Sequence, residues 1–337
     1  MLFEEIASFD NLCAAHKKTG ANKRDKRAYI MFDRNREINV MRIHDALTGQ
    51  TYRPLPTRVK QITDPKPRVI NVPAYADRVL QQGVHRVVSP LFERRMIAHS
   101  YACRKGYGTH AAADKAQEYI RALALKGPVY FLKCDIRHFY ASINHDILKR
   151  QLRKVIKEPD VRWLLETIID GTGNSGVGLP LGAVTSQLFA NVYLDVLDHF
   201  IKDYLGMKCY VRYMDDFIIF DTSKKRLRVL LKVIREYLTR RLALSLNQKT
   251  RIVSGKEGCD FCGYRLFTNR RLPRKRNIKR IRRRLKRMVR LYKTGKVTEE
   301  AIRQVWGSFH GYTLHCDAYQ SKRAIWRETN EALRRRE

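Results

Sequence analysis

Three aspartates stand where apolar strand patterns are interrupted or end, and together they suggest metal-ion chemistry. Asp215 and Asp216 interrupt "VRYMDDFIIF", and Asp135 ends the apolar part of "PVYFLKCDIRHFY". If the two segments are neighbouring antiparallel strands, the carboxylates converge at one sheet edge, where they cannot all ionise without a counter-charge. A pair of Mg²⁺ ions, about 3.5–4 Å apart, supplies that charge in phosphoryl transfer. For either segment alone, an aspartate that caps a turn is the simpler explanation.

The charge of the chain points to a polyanionic partner. Lys and Arg number 68 against 33 Asp and Glu, which gives a net charge of +35. Neutralising phosphates releases counterions, so nucleic acid is the expected partner. A membrane surface is the alternative, but the basic segment 270–293 has only a narrow apolar stripe without Trp or Phe. We therefore expect no membrane partner.

Composition indicates a globular protein of two or three subdomains. The chain has 337 residues, of which 44% are apolar. The first twenty residues lack the basic and apolar regions of a signal peptide. Seven scattered cysteines do not form a disulfide framework. We expect a cytoplasmic protein.

The surrounding pattern predicts the elements that position the aspartates. Prolines and alternation in "TYRPLPTRVKQITDPKPRVINVP" indicate an extended hairpin. Residues 1–30 are expected to form a helix followed by the basic loop "KKTGANKRDKR", and further helices are expected over about 32–50, 75–91, 145–170, 184–204, 224–243 and 275–293. Strands are expected over 129–136, the hairpin 209–220, 251–254 and 261–267. The Gly-rich "GTGNSGVGLPLG" lacks GxxxxGK[ST] and is read as a loop before a helix.

Five segments resemble, in order, those of reverse transcriptases over about residues 60–310. "VRYMDDFIIF" resembles the catalytic hairpin, and "FLKCDIRHFYASINHDIL" the first catalytic segment. "GLPLGAVTSQLFANVYLDVLDHF" resembles the segment between them, and "DFCGYRLF" the primer-grip strands. "KPRVINVPAYADRVLQQGV" with "YACRKGYGTHAAA" resembles the fingers segments of bacterial members.

The resemblance implies an α+β right-hand polymerase. After an N-terminal extension (1–29), the fingers would comprise 30–110 and 144–182. The palm, an antiparallel sheet with helices, would comprise 111–143 and 183–270, and the basic helical thumb 271–337.

The resemblance also implies an RNA-directed DNA polymerase that uses two Mg²⁺ ions. The metal ligands would be Asp135, Asp215, Asp216 and the backbone carbonyl of Ile136, with Asp216 turned partly away. Lys249 matches a lysine that protonates pyrophosphate, although a surface charge is the simpler interpretation.

Other matched positions imply contacts with dNTPs and with the RNA/cDNA duplex. Lys66 and Arg68 would hold the triphosphate, and Tyr140 would block a ribose 2′-OH, unless it only packs in the core. The remaining nucleotide-binding positions are Leu181, Gly182 and Gln187. The thumb contacts to nucleic acid are Arg282, Arg283, Arg284, Lys286 and Arg287.

The segment Leu181-Gly182-Ala183-Val184-Thr185-Ser186-Gln187 distinguishes subtypes. Many reverse transcriptases have QGxxxSP here, whereas this form resembles the enzymes of diversity-generating retroelements. That family implies error-prone copying of a template-repeat RNA and a small basic accessory protein. The alternatives are another bacterial or phage-defence reverse transcriptase, or a catalytically silent RNA-binding scaffold, against which the three intact aspartates argue.

Overall fold

The computed structural model describes residues 1–62, 67–173 and 175–334, and in these ranges helices surround three antiparallel sheets. The helices are α1 Leu2–Ala7, α2 Phe9–Thr19, α3 Arg27–Arg34, α4 Arg36–Thr48, α5 Tyr75–Glu93, α6 Thr109–Ala124, α7 Phe139–Ser142, α8 His145–Val155, α9 Pro159–Asp170, α10 Val184–His199, α11 Lys224–Leu242, α12 Lys275–Lys293, α13 Glu299–Thr313 and α14 Tyr319–Arg334. The strands are β1 Arg58–Ile62, β2 Arg68–Val72, β3 Tyr130–Asp135, β4 Tyr210–Tyr213, β5 Asp216–Asp221, β6 Arg251–Ser254, β7 Cys259–Phe261, β8 Tyr264–Leu266 and β9 Arg271–Pro273. None of the helices in these ranges is long and apolar enough to cross a membrane.

The central sheet has four strands in the order β4-β5-β3-β6. Its strands are apolar on both faces because both faces are covered. Leu132 and Phe217 point into the larger core, which α10 and α11 share. Phe131 and Ile218 point into a second core that includes residues of α6. The expected pairing of the 129–136 strand with the 209–220 hairpin is confirmed.

The N-terminal helices join the larger core and pack on α5. We expected one helix before the basic loop "KKTGANKRDKR" and another over 32–50, and this was wrong in detail. The first breaks at Ser8, whose side chain accepts a hydrogen bond from the Asn11 amide and so starts a new helix. A further break at Asn35 separates α3 from α4.

Two small sheets lie beside the central one. Strands β1 and β2 form the expected extended hairpin. Strands β7, β8 and β9 form a three-stranded sheet, in which β9 was not expected from the sequence. The side chain of Arg271 on β9 bonds to Gln117 and Asp114 of α6, which ties this sheet to the central unit.

The last three helices have a core of their own. Leu285 and Val289 of α12 pack with residues of α13 and α14, including Phe309 and Ile325. The helix expected over 275–293 is confirmed. Its buried stripe is narrow because the other faces carry basic side chains.

Candidate active site

The strand register brings the three aspartates to one edge of the central sheet. Asp135 ends β3 and is the cross-strand partner of Asp216, the first residue of β5. Met214 and Asp215 form the two-residue turn between β4 and β5. The amide of Ile136 donates to the carbonyl of Asp215 at 3.3 Å, which fastens the turn to the end of β3.

The carboxylates at this edge are electrostatically strained. Burial raises the pKa of Asp215, and the nearby charge of Asp135 raises it further. Burial raises the pKa of Asp216 to about 6. The ammonium of Lys133 opposes that shift, with Nζ 3.4 Å from Asp216 Oδ2. The other oxygen, Oδ1, is buried without a hydrogen-bond partner.

A cation would relieve this strain, but the ligand set is incomplete as it stands. Within the described ranges, no group of three or more His, Cys, Asp and Glu side chains is arranged to hold a metal ion. The chemistry of the donors still fits Mg²⁺, which prefers carboxylate oxygens. The unpartnered Asp216 Oδ1 and the raised pKa values of Asp215 and Asp216 are what an added cation would offset.

Tyr140 lies beside the turn. Its hydroxyl is 3.9 Å from Met214 Sδ, and its carbonyl accepts from the Leu179 amide at 2.8 Å. Burial raises the pKa of Tyr140, so the phenol stays neutral. The structure thus brings together Tyr140 and the aspartates.

The segment before α10 faces the β1–β2 hairpin. Leu181, in this segment, and Gln187, in the first part of α10, are half-buried. Gly182 has φ +108°, a conformation that suits glycine. A Cβ at Gly182 would lie 3.0 Å from Ile70 Cγ2, so the absence of a side chain also permits close approach to β2.

The basic residues predicted to contact the nucleotide are placed differently from one another. Arg68, on β2, is exposed, and its positive charge opposes the rise in the pKa of Asp215. Lys66 lies outside the described residues. Lys249 is exposed, and its amide donates to Asn247 Oδ1, while the Asn247 amide donates to the Asp135 carbonyl at 2.7 Å. Lys249 therefore belongs to a turn that is bonded to the end of β3.

The basic residues predicted on the thumb fall into two groups. Arg282 is half-buried and pairs with Glu328 of α14 at 3.2 Å. It therefore helps to join two helices. The exposed residues are Arg283, Arg284, Lys286 and Arg287.

Sequence reasoning missed two charged residues next to the site, Lys133 and Arg212. Lys133 pairs with Asp216, and Arg212 is fully buried behind the turn. Each is a basic residue inside an apolar strand, and a buried charge requires a partner. That requirement was the signal that could have identified them.

Comparison with known sequences gives consistent matches. The profile of the family "Reverse transcriptase (RNA-dependent DNA polymerase)" matches residues 60–266. Protein YkfC of Escherichia coli K12 is 25% identical over 276 residues, 69% of this chain and 72% of YkfC. The group II intron-encoded protein LtrA of Lactococcus lactis is 23% identical over 175 residues, 49% of this chain and only 28% of LtrA.

Solved structures with the same fold include telomerases. Apo telomerase from Candida tropicalis, truncated from its C-terminal domain, aligns with a TM-score of 0.52 at 16% identity. The alignment covers 68% of this chain and 59% of that telomerase chain. Telomerase from Candida albicans, in complex with a fragment of telomeric RNA, aligns with a TM-score of 0.52 at 15% identity over 83% of this chain and 54% of that one. With the mixture of helices and antiparallel sheet, these matches confirm the expected α+β right-hand polymerase fold.

Proposed function

Because the chain belongs to the reverse transcriptase (RNA-dependent DNA polymerase) family, we propose that it extends a primer on template RNA at the sheet edge of Asp135, Asp215 and Asp216. The observation that carries this proposal is the cross-strand pairing of Asp135 with Asp216, with Asp215 on the adjoining turn. The substrates would be dNTPs, and the product an RNA/cDNA duplex.

Reverse transcriptases generally use divalent metal ions, and we propose two Mg²⁺ ions here. Asp135, Asp215 and the Ile136 carbonyl would be the principal ligands, and Asp216, whose Oδ2 pairs with Lys133, would contribute less, through its unpartnered Oδ1. When bound, the ions would stabilise the attacking and leaving oxygens of nucleotidyl transfer.

The residues around this edge take proposed roles from their positions. Arg68, with Lys66, would hold the triphosphate, since Arg suits bidentate phosphate contact. Tyr140, beside Met214, would exclude the ribose 2′-OH. Lys249 would donate a proton to pyrophosphate. The exposed basic residues of α12 would follow the phosphates of the duplex, and the division into fingers, palm and thumb given above stays part of the proposal.

Primer extension tests the polymerase proposal. The full chain is given a DNA-primed RNA template, dNTPs and Mg²⁺, and cDNA is measured. We expect Asp135→Asn and Asp215→Asn to abolish extension but to bind the primed template as the unchanged chain does. Asp10→Asn, at an exposed aspartate of α2, is the matched control and should retain activity. Extension by either site variant at the level of the control would contradict the proposal and would favour the silent scaffold.

Within this activity we propose the error-prone role of a diversity-generating retroelement, in the cytoplasm. The segment Leu181-Gly182…Ser186-Gln187 supports it, because Leu181 stands where QGxxxSP enzymes have a glutamine near the incoming nucleotide. A leucine offers only apolar contact, so fewer positioned contacts favour the correct base pair. The template would be a template-repeat RNA, and a small basic accessory protein would assist.

The error spectrum tests the subtype. We expect Leu181→Gln to lower misincorporation several-fold, mainly opposite template adenine, because one hydrogen bond of about 1 kcal/mol corresponds to roughly a fivefold rate ratio. Both enzymes copy one RNA that contains all four bases, and the cDNA is sequenced. Equal error spectra would contradict a fidelity role for Leu181.

The match to LtrA favours a second candidate, a reverse transcriptase like those encoded by group II introns. This candidate carries no expectation that errors concentrate opposite template adenine. The same sequencing experiment therefore separates the two functions.

A further inference from the structure

A buried ion pair lies directly behind the turn that carries Asp215. Arg212 on β4 and Asp198 on α10 are both 0% exposed. Arg212 Nε donates to Asp198 Oδ1 and Oδ2 at 2.7 and 2.9 Å, and Nη2 donates to Oδ2 at 2.6 Å. The Tyr210 hydroxyl also donates to Asp198 Oδ1, at 2.6 Å. This bidentate contact fixes the plane of the guanidinium relative to α10.

The remaining guanidinium nitrogen reaches the turn itself. Arg212 Nη1 donates to the Met214 carbonyl at 3.2 Å and to Asn191 Oδ1 at 3.1 Å. Met214 has φ +56°, which is unfavourable for a residue with a side chain. Such a conformation persists only where the surroundings hold it. The hydrogen bond from Arg212 Nη1 to the Met214 carbonyl stabilises this conformation, one residue before Asp215.

The backbone of Arg212 is also fixed on the side away from β5. Its amide donates to the His99 carbonyl at 2.9 Å, and its carbonyl accepts from the Tyr101 amide at 3.0 Å. Arg212 is therefore held by α10, by β5 and by the segment around Ser100. A displacement of α10 would be passed through its side chain to the turn.

We propose that Arg212 is a positioning residue, which sets the place of Asp215 relative to α10 by holding the Met214 carbonyl from the buried pair with Asp198. The inference rests on the proposed polymerase function and deepens it. It joins the middle and the C-terminal end of α10 to the turn of the aspartates, through the contacts of Arg212 with Asn191 and Asp198.

Arg212→Lys and Tyr210→Phe form a matched pair of variants. Lysine keeps the positive charge next to Asp198 but has one side-chain nitrogen where the guanidinium has three. The hydrogen bond to the Met214 carbonyl is therefore lost. Phenylalanine removes a hydrogen bond to the same carboxylate without touching the turn. Single-dNTP incorporation on a preformed primer–RNA duplex gives kcat and KM, and chemical denaturation gives the unfolding midpoint.

We expect Arg212→Lys to lower kcat about 100-fold, the scale of a misplacement of about 1 Å, with KM for dNTP within about twofold. Tyr210→Phe should lower the denaturation midpoint and keep kcat within about twofold. Wild-type kcat for Arg212→Lys, or equal kcat losses in both variants, would overturn the proposal. If Arg212→Lys does not fold, Asp198→Asn replaces it, because the amide keeps the size of the side chain but weakens the contact that fixes the guanidinium. A severalfold fall in kcat would then support the proposal, and an unchanged kcat would overturn it.

Hydrogen exchange separates this inference from the proposed function. In the same variants, amide exchange over 211–220 is followed by mass spectrometry. We expect faster exchange at the turn for Arg212→Lys, or for Asp198→Asn where that variant replaces it, but not for Tyr210→Phe. This result is expected even if the unchanged chain makes no cDNA, which would count against the polymerase and not against the positioning. Equal exchange at the turn in the unchanged chain and in the Arg212 or Asp198 variant would overturn the positioning role.

Discussion

The buried cluster of Arg212 and Asp198 and the sheet edge of Asp135, Asp215 and Asp216 meet at the β4–β5 hairpin, but they differ in how their charges are paired. In the buried cluster, the two carboxylate oxygens of Asp198 accept four hydrogen bonds from Arg212 and Tyr210. At the sheet edge, Lys133 pairs with one of three acids, the exposed Arg68 acts on Asp215 only through its charge, and Asp216 Oδ1 is buried without a partner.

The difference indicates which charges serve the fold and which serve a ligand. A buried charge with a complete set of partners is stable only while all of them are present. A carboxylate with a raised pKa and an unpartnered oxygen is unfavourable until something positive binds. The protein therefore has a buried ion pair with a full set of hydrogen bonds immediately next to a group of carboxylates that lacks one.

The largest expected effect is on stability. Asp198→Ala leaves Arg212 buried without its partner, which should lower the free energy of unfolding by about 3–5 kcal/mol. Asp216→Asn removes a carboxylate whose burial is unfavourable, and should raise that free energy by about 1 kcal/mol at pH 7. Urea denaturation of both variants measures the contrast. A loss for Asp216→Asn as large as that for Asp198→Ala would remove the distinction between the two regions.

A smaller expected effect concerns the choice between deoxyribose and ribose beside the three aspartates. Tyr140 lies beside the turn, with its hydroxyl 3.9 Å from Met214 Sδ. Tyr140→Ala should therefore lower the preference for dNTP over NTP by about tenfold or more, through the loss of a steric contact. The ratio of incorporation efficiencies measures this, with Tyr140→Phe as the control that keeps the ring. An unchanged ratio in Tyr140→Ala would mean that the ring only packs in the core.

The smallest effect is expected on α12, where the same distinction between paired and free charges applies. Exposed Arg283 and Arg284 should each contribute a slope of about 0.9 to the salt dependence of duplex binding. Paired Arg282 should contribute little to that slope, because Glu328 already engages it. Arg283→Gln with Arg284→Gln is compared with Arg282→Gln in binding titrations at several salt concentrations. Equal salt slopes in both variants would show that the ion pair with Glu328 does not decide which arginines contact the phosphates of the duplex.

The aspartate edge could be predicted from the sequence because its signal is local. An acid that ends an apolar strand is visible in "FLKCDI" and "YMDDF", and the order of the segments specified that the strands pair. The register that pairs Asp135 with Asp216 could not be predicted from alternation, because β3 and β5 are apolar on both faces.

The pairing of the buried charges Arg212 and Asp198 could not be predicted from the sequence in the same way. Arg212 and Asp198 are 14 residues apart in the chain, and only the packing of α10 against the sheet brings them together. The strand β9 was missed for a similar reason. Its sequence, "RLP", is too short to show alternation, and it pairs with β8 while Arg271 bonds to α6.

Binding of Mg²⁺ in the absence of nucleic acid tests most directly whether the sheet edge is completed by a cation. Thermal unfolding is followed as Mg²⁺ replaces NaCl at constant ionic strength, for the unchanged chain, Asp215→Asn and the surface control Asp10→Asn. A site that binds only the folded chain should stabilise it by about 1.4 kcal/mol when Mg²⁺ is at ten times its Kd. We predict a saturable rise in Tm for the unchanged chain and for Asp10→Asn, and none for Asp215→Asn. The same rise in all three proteins would contradict a metal site at Asp215.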